Sequence, residues 1–346
     1  MMVDLRSDTV TRPTTAMRAA MGEAEVGDDL AGEDPTVNRL EAIAATLTGK
    51  EAARYVPTGT MANQLAIRAL ARPGTEVICP ARAHVYCYED AGAARNAGVQ
   101  MRPLHDEGGV VSVEQVEHAA LGRRHHLPVA SVLVIENTHM AASGRPLPPD
   151  EMGALAGVAH AHGLAVHCDG ARLWNAAVAL GERLDELVAS CDTVMFCLSK
   201  GLGAPVGSLL CGSADLIARA RADQHRLGGG WRQAGVLAAA GIVALESMIS
   251  GNGTALLAAD HHRARGFAQA LADRWPGCLD PSKVHTNIVC AHASVLPGEL
   301  LERLAAHGVL AGTIDPHTIR FVFHCDVDDH GLAAAITALD IIRADG

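Results

Sequence analysis

Lys200 ends an apolar run and is followed at once by a glycine-rich loop. The run covers residues 195–198, and the loop covers residues 201–205. Partial desolvation at the end of a buried strand disfavours the ammonium and favours the neutral amine. A neutral lysine amine can form a Schiff base with an aldehyde, so this position predicts covalent chemistry. The alternative is a surface lysine just past a strand, and the rest of the chain must decide between the two.

Asp169 ends a second apolar run, at residues 164–168. A carboxylate at a buried strand end is costly unless it has a partner. A pyridinium nitrogen is one suitable partner. Arg172 is another, and the carboxylate could also cap the next helix.

A Thr-Gly-Thr turn at residues 58–60 precedes a helix-like stretch. Gly59 permits close backbone approach, and the hydroxyl of Thr58 or Thr60 can cap the helix. A helix N-terminus with free N–H groups binds phosphate. The turn therefore predicts a phosphate site, although such turns also serve only as caps.

Two arginines are candidates for binding anions. Arg232 follows three glycines at 228–230, which indicates either an anion-binding nest or a flexible loop. Arg320 lies within an apolar strand at 319–323 and needs an anionic partner. Its guanidinium suits a substrate α-carboxylate, and an internal aspartate would satisfy it equally well.

Three histidines are candidates for ring stacking or proton transfer. His84 follows a strand-like run at 76–79, so its imidazole could stack on a flat cofactor or act as a general base. His126 and His139 are the other candidates, and a structural role is the alternative for each. With Lys200 and Asp169, these residues predict a pyridoxal-phosphate enzyme that acts on an amino acid.

The elements that must position these residues alternate along the chain. Buried strands are predicted at 132–135, 164–168 and 193–198, with helices at 149–162 and 183–189 between them. This alternation predicts an α/β fold with a mostly parallel sheet and helices on both faces. Ligands then bind beyond the carboxyl ends of the strands, where Lys200 and Asp169 lie.

A glycine-rich break at 251–253 divides the pattern. The elements predicted beyond it are a helix at 255–275, a strand at 284–291, a helix at 297–307, strands near 309 and at 319–324, and a helix at 329–343. We therefore predict a large domain at 1–250, which includes the N-terminal segment, and a small α+β domain at 251–346.

Composition excludes several classes of function. The chain has 346 residues, is 49% hydrophobic and carries a net charge of −11, which argues against nucleic acid or an anionic membrane as the main partner. No uncharged run of membrane-spanning length and no signal-peptide core occur. Nine cysteines without a Cys-x-x-Cys pair predict a cytoplasmic protein. The 18 histidines match no metal-site spacing, so no metal is predicted.

Eight ordered segments resemble the low-specificity L-threonine aldolase family. They are DLRSDTVT (4–11), GDD with GEDPT (27–29, 32–36), GTMANQ (59–64), ENTH (136–139), DGAR (169–172), LSKGLGAPVGS (198–208), GGG with RQ (228–230, 232–233) and RFV (320–322). The resemblance implies the aspartate-aminotransferase-like arrangement, fold type I of the pyridoxal-phosphate enzymes. It also implies retro-aldol cleavage of L-threonine and L-allo-threonine to glycine and an aldehyde, in a homotetramer built as a dimer of dimers.

The resemblance also implies a role for each candidate residue. Lys200 would form the Schiff base and Asp169 would face the pyridinium nitrogen. Gly59, Thr60 and Arg232 would hold the phosphate, and His84 would stack on the ring. Ser7, Arg172 and Arg320 would hold the substrate carboxylate, and Arg172 would also contact the cofactor. His126 would lie near the substrate hydroxyl, so either His84 or His126 is the expected base.

The chain departs from the family pattern at several positions. Ala31 stands where a tyrosine is common, His225 where a lysine is usual, and Thr58 where a serine is usual. Residues 140–145 also differ. These departures affect substrate preference and the expected contact between subunits. A β-eliminating lyase on the same scaffold is the alternative function, serine hydroxymethyltransferase is a weaker one, and a non-catalytic metal-binding protein is a remote one.

Overall fold

Twelve short strands and fourteen α-helices make up the part of the chain that the structure describes, residues 2–121 and 126–345 of a computed structural model. The strands are β1 (Val3–Asp4), β2 (Ala52–Val56), β3 (Glu76–Pro80), β4 (Gln100–Leu104), β5 (Ala130–Glu136), β6 (Ala165–Asp169), β7 (Thr193–Cys197), β8 (Ser208–Gly212), β9 (Ile288–His292), β10 (Val309–Leu310), β11 (Gly312–Asp315) and β12 (Thr318–Val322). The helices are α1 (Thr15–Gly22), α2 (Pro35–Thr48), α3 (Gly59–Leu70), α4 (His84–Cys87), α5 (Gly92–Ala97), α6 (Val113–Ala120), α7 (Pro149–Ala161), α8 (Leu173–Leu180), α9 (Leu184–Leu187), α10 (Ala214–Arg226), α11 (Gly235–Ile249), α12 (Asn252–Arg274), α13 (Leu300–Ala306) and α14 (Asp329–Ala344).

Seven strands form the central sheet, in the order β2-β8-β7-β6-β5-β3-β4. Strands β7, β6, β5, β3 and β4 pair in parallel, and β8 runs antiparallel to both of its neighbours. The predicted α/β class and mostly parallel sheet are therefore confirmed. The antiparallel direction of β8 was not predicted, because a short apolar run in the sequence does not indicate the direction of the strand.

The register of the sheet brings functional positions to one edge. Glu136 at the end of β5 is paired with Asp169 at the end of β6, which in turn is paired with Met195 in β7. The carboxyl ends of these strands meet there, and Lys200 follows β7 by three residues. The sheet edge predicted to bind a ligand is thus assembled by strand pairing.

Two hydrophobic clusters lie under the two sheet systems. The larger cluster packs around the central sheet, and the second contains residues of α12, β9, β12 and α14. Strands β9, β12 and β11 form a separate antiparallel sheet, so the C-terminal α+β unit is present. The boundary at residue 250 remains a prediction. The N-terminal segment differs from the expectation, because β1 pairs with β10 and Val3 and Leu5 pack in the second cluster.

The glycine-rich break falls between two long helices. Helix α11 ends at Ile249 and α12 begins at Asn252, with Gly251 between them in the left-handed region at φ 86°. Glycine adopts this backbone conformation without the steric cost of a Cβ. Among the described residues, no single helix is long and apolar enough to cross a membrane, and only the α11–α12 pair, bent by 80°, reaches that length and composition together.

Candidate active site

Two adjoining cavities meet at Lys200. The first has a volume of ≈ 250 Å³ and contains the Asp169 side chain and the start of α3. The second has a volume of ≈ 300 Å³ and contains Ser7, Arg172 and Arg320. Lys200, His84 and Thr9 line both cavities. A molecule that occupied both cavities would therefore lie beside Lys200.

The loop after β7 holds Lys200 at this junction. The amide of Gly203 donates to the Lys200 carbonyl at 2.9 Å, and Gly203 has φ 75°, which favours glycine. Thr11 also donates its hydroxyl to that carbonyl at 3.3 Å. Of the three lysines in the chain, Lys50 donates to main-chain carbonyls elsewhere and Lys283 is exposed on the second unit. The structure thus places Lys200 where the two cavities meet, and its role in the Schiff base stays a prediction.

Asp169 is a buried carboxylate whose hydrogen-bond donors are neutral groups. It is 2% exposed and accepts hydrogen bonds from the Asn63 amide at 2.8 Å and the Ala171 main chain at 3.2 Å. Arg172, the alternative partner, binds Asp8 instead. Within the described residues no ion pair involves Asp169, and it lines the first cavity, so the site fits a cationic ring nitrogen.

The N-terminus of α3 offers donors to an anion at the other end of the first cavity. The Thr58 hydroxyl accepts from the Met61 amide at 3.1 Å and caps the helix. The amides of Gly59 and Thr60 make no hydrogen bond within the described part of the chain. A Cβ on Gly59 would lie 2.9 Å from the Cys197 sulfur, so glycine allows this helix to pack on β7. Free N–H groups at a helix start suit a phosphate.

His84 is oriented by a buried carboxylate. Its Nδ1 lies 3.0 Å from Oε1 of Glu89, and its main-chain amide donates to Glu136 at 2.7 Å. Burial alone would lower the pKa of His84, but the hydrogen bond to Glu89 and the charge of Asp169 outweigh it, so this pKa is raised above 6.5. With Nδ1 bound to Glu89, Nε2 is the ring nitrogen left for a ligand.

Arg172 is locked to the N-terminal segment. Its Nε and Nη2 donate to the two oxygens of Asp8, each at 2.7 Å. Burial would raise the pKa of Asp8, but Arg172, with a smaller contribution from Lys200, holds it below its ordinary value. The predicted substrate arginine is therefore already engaged through two of its three nitrogens, and Nη1 is the one left for a substrate.

Arg320 has no carboxylate partner in the described chain. Its Nη2 donates to the Arg6 carbonyl at 3.0 Å, and its Nη1 lies 3.2 Å from the Met140 sulfur. Burial and the nearby charge of Arg172 lower its pKa below the ordinary value. A half-buried guanidinium with only neutral partners is suited to a carboxylate ligand.

Three predicted candidates lie outside both cavities. Arg232 is 77% exposed and pairs with Asp28 at 2.8 Å. His126 is exposed in a turn before β5, at the amino end of that strand and so away from the ligand edge. His139 is buried against Gly109. One chain does not bring Arg232 or His126 to its own cavities, and their roles stay predictions.

Three functional residues were missed from the sequence. Asp8 lies 164 positions from Arg172, and the sequence gives no sign of that pairing. Glu89 and Asn63 form the buried support of His84 and Asp169. Asn63 could have been found, since it stands one helical turn beyond Gly59 and so points to the same side of α3.

A buried carboxylate at the end of one strand and a lysine just after the neighbouring parallel strand, both lining one cavity, are typical of the fold type I pyridoxal-phosphate enzymes. The chain belongs to the beta-eliminating lyase family, whose model matches residues 4–295.

Comparisons with individual proteins show which members of this family the chain resembles. The chain is 41% identical over 336 residues to the probable low-specificity L-threonine aldolase 2 of Arabidopsis thaliana, covering 94% of this chain and 93% of the relative. It is 41% identical over 334 residues to the low specificity L-threonine aldolase of Escherichia coli K12, covering 96% of both. The solved structure of a Leishmania major threonine aldolase superimposes with a TM-score of 0.83 at 18% identity, covering 98% of this chain and 99% of that one. The last comparison supports the fold, and the first two support the resemblance found in the sequence.

Proposed function

We propose that this protein is a pyridoxal-phosphate-dependent aldolase that cleaves L-threonine and L-allo-threonine to glycine and acetaldehyde. One observation supports the proposal: Lys200 lines both the cavity that Asp169 lines and the cavity that Arg320 lines. The first cavity suits the cofactor and the second suits an amino acid that reacts beside it. The high identity to threonine aldolases over nearly the whole chain selects this reaction among those of the fold.

The chain supplies a partner for each end of the cofactor. The Lys200 amine would hold its aldehyde carbon, and Asp169 would accept a hydrogen bond from its protonated ring nitrogen. The amides of Gly59 and Thr60 would hold its phosphate. When bound, the cofactor supplies an electron sink for the pair of electrons left on the substrate Cα.

Ser7, Arg172 and Arg320 would hold the substrate. All three line the second cavity, and the guanidinium of Arg320 has no competing carboxylate. Arg320 and Nη1 of Arg172 would bind the α-carboxylate from two sides and fix the orientation of the Cα–Cβ bond. Because Asp8 holds Arg172 rigidly, the carboxylate meets a preformed donor.

His84 would act as the base. With the Nδ1 proton donated to Glu89, Nε2 presents a lone pair to the cavities and can take the proton of the β-hydroxyl group. Loss of that proton lets the Cα–Cβ bond break and releases the aldehyde. A proton returned to Cα completes glycine. His126 remains the second candidate for the base and would have to reach the site from another chain.

A product assay separates the two reactions that this family supports. We expect L-threonine and L-allo-threonine to yield glycine and acetaldehyde in equal amounts. Release of a keto acid and ammonia would instead identify a β-eliminating lyase and contradict the proposal. L-phenylserine, assayed in parallel, measures whether a larger aldehyde is also accepted.

We also propose that the protein works as a homotetramer whose subunits share sites. Support comes from Arg232, which lies off the cavities of its own chain, and from Leu30, Leu227 and Val236, which are exposed near the glycine loop. Co-expressed Lys200→Ala and Arg232→Ala chains should regain roughly a quarter of the wild-type activity if Arg232 serves a neighbour. No recovery would mean that Arg232 serves the site of its own chain, and full activity of Arg232→Ala alone would place Arg232 outside the reaction. A cytoplasmic location is proposed from the nine unpaired cysteines.

A further inference from the structure

The buried amide of Asn63 lies between two carboxylates, Asp169, which lines the first cavity, and Glu89 behind it. Asn63 is 1% exposed, and its Nδ2 donates to Oδ2 of Asp169 and to Oε1 of Glu89, each at 2.8 Å. Asp169 is the carboxylate assigned to the ring nitrogen, and Glu89 is the carboxylate that orients His84. The Asn63 side chain thus contacts both the carboxylate that would bind the ring nitrogen and the carboxylate that orients His84.

The amide orientation of Asn63 is fixed by a third partner. Its Oδ1 lies 3.0 Å from Nε2 of His167, whose Nδ1 lies 2.9 Å from the Thr193 hydroxyl. Complete burial lowers the pKa of His167 to about 4, so the ring is neutral and carries one proton. A proton on Nε2 donates to Asn63, and Nδ1 then accepts from Thr193. Both hydrogens of the Asn63 amide are thereby directed at the carboxylates.

Two buried carboxylates this close repel each other. Single ligand atoms of His84, Glu89 and Asp169 all lie within 4.8 Å of one another. Such a pair would ordinarily take up a proton or a cation. Asn63 supplies one N–H donor to each carboxylate without adding charge, and these two hydrogen bonds fix the positions of both groups.

We propose that Asn63 is a positioning residue that holds Asp169 and Glu89 fixed relative to each other, and so joins cofactor binding to the orientation of His84. This inference rests on the proposed function through the role of Asp169. It assigns Asn63 no contact with the reacting atoms. Its effect is on how tightly the protein holds the cofactor.

Two isosteric variants separate the donors of Asn63 from its acceptor. Asn63→Leu removes both donors and the acceptor, whereas Asn63→Asp keeps an acceptor for His167 and removes both donors. In both variants we expect pyridoxal phosphate, measured by equilibrium titration of the cofactor-free protein, to bind about tenfold more weakly at neutral pH.

The matched control is Gln64→Met on the same helix. Gln64 donates to Glu89 at 2.6 Å and makes no contact with Asp169, so this variant should keep the wild-type binding profile for the cofactor. Wild-type affinity in Asn63→Asp, or an equal loss in Gln64→Met, would overturn the inference. Absence of binding by the wild-type protein would instead overturn the proposed function.

The wild-type protein provides a test that does not depend on the folding of a variant. In the cofactor-free protein, the two side-chain amide protons of Asn63 should exchange slowly with solvent, and the one facing Asp169 should shift on addition of the cofactor. Rapid exchange of both protons, or no shift on loading, would refute the positioning role.

Discussion

The two cavities that meet at Lys200 are built in different ways. Around Asp169, buried polar groups satisfy one another through Asn63, Glu89 and His167, and all of them belong to the unit around the central sheet. Around Arg320, the guanidinium comes from β12 in the second unit, and its hydrogen-bond partners among the described residues are a carbonyl and a sulfur atom. The hydrogen bonds that position Asp169 are thus formed before a ligand binds, whereas the guanidinium of Arg320 is a charge that its ligand would neutralise.

This difference indicates how each of the two cavities contributes to the affinity and the orientation of its ligand. A preformed hydrogen-bond network costs little reorganisation when its ligand binds. An unpaired cation between two units contributes most when a carboxylate arrives, so substrate binding also depends on the position of one unit relative to the other. Each variant described below changes the cofactor cavity, the substrate cavity, the lysine that lines both, or the ion pair that joins the N-terminal segment to the substrate cavity.

Lys200→Ala should have the largest effect, because it removes the group common to both cavities. We expect turnover to fall by about 10³-fold or more, together with loss of the visible absorbance of the bound cofactor. The exposed Lys283→Ala is the matched control and should behave as the wild type. A Lys200→Ala protein that keeps both colour and turnover would rule out the assignment of this lysine.

Asp8→Asn breaks the connection between the N-terminal segment and the substrate side. Leaving Arg172 buried without its partner should lower the free energy of unfolding by about 3 kcal/mol. Since the pKa of Asp8 is held below 3.8, its stabilising contribution is present above that pH and is lost as the pH falls through the folded-state value. The variant should therefore lose less further stability in acid than the wild type, as measured by urea unfolding at several pH values.

The exposed pair of Asp215 and Arg219 provides the control for this measurement. Asp215→Asn should change stability by less than about 1 kcal/mol at every pH. Equal losses in the free energy of unfolding would mean that the buried ion pair stabilises the fold no more than the exposed pair does.

Arg320→Ala tests the substrate side alone. We expect kcat/KM to fall by about 30-fold, mainly through a rise in KM, while affinity for the cofactor stays unchanged. Arg6→Ala is the control, because only the main-chain carbonyl of Arg6 contacts Arg320. A loss of cofactor affinity in Arg320→Ala would show that the two sides are not independent.

Glu89→Gln tests the cofactor side and should have the smallest effect. The hydrogen bond to Glu89 contributes to the raised pKa of His84, so its weakening should lower that pKa. Because the base must be neutral to accept a proton, the acid limb of the kcat/KM profile should move to lower pH. An unmoved acid limb would favour His126 or a water molecule as the base.

Much of this architecture could be predicted from local sequence. Strands β5, β6 and β7 and helix α7 fall where hydrophobic runs and Pro149 indicated them, and Lys200 and Asp169 followed from their positions at strand ends. These signals are local, because burial and chain direction act over a few residues.

The remaining features depend on contacts that sequence spacing does not record. The pairing of Asp8 with Arg172 joins residues 164 positions apart, and the pairing of β1 with β10 joins the two ends of the chain. Asn63 was read as part of a motif, but its role requires three partners from separate elements. Contributions from other copies of the chain, as proposed for Arg232, are beyond any reading of one sequence.

The path of the first twelve residues has a practical consequence. Leu5 exchanges main-chain hydrogen bonds with Leu310 and Val322 in the second unit, and Thr11 then reaches the carbonyl of Lys200. A purification tag fused directly ahead of β1 would be attached to the N-terminal segment, which lines the active site. A tag fused after α14 would not be attached to that segment. The same few residues are also a short target for mutant libraries intended to alter substrate preference without disturbing the cofactor.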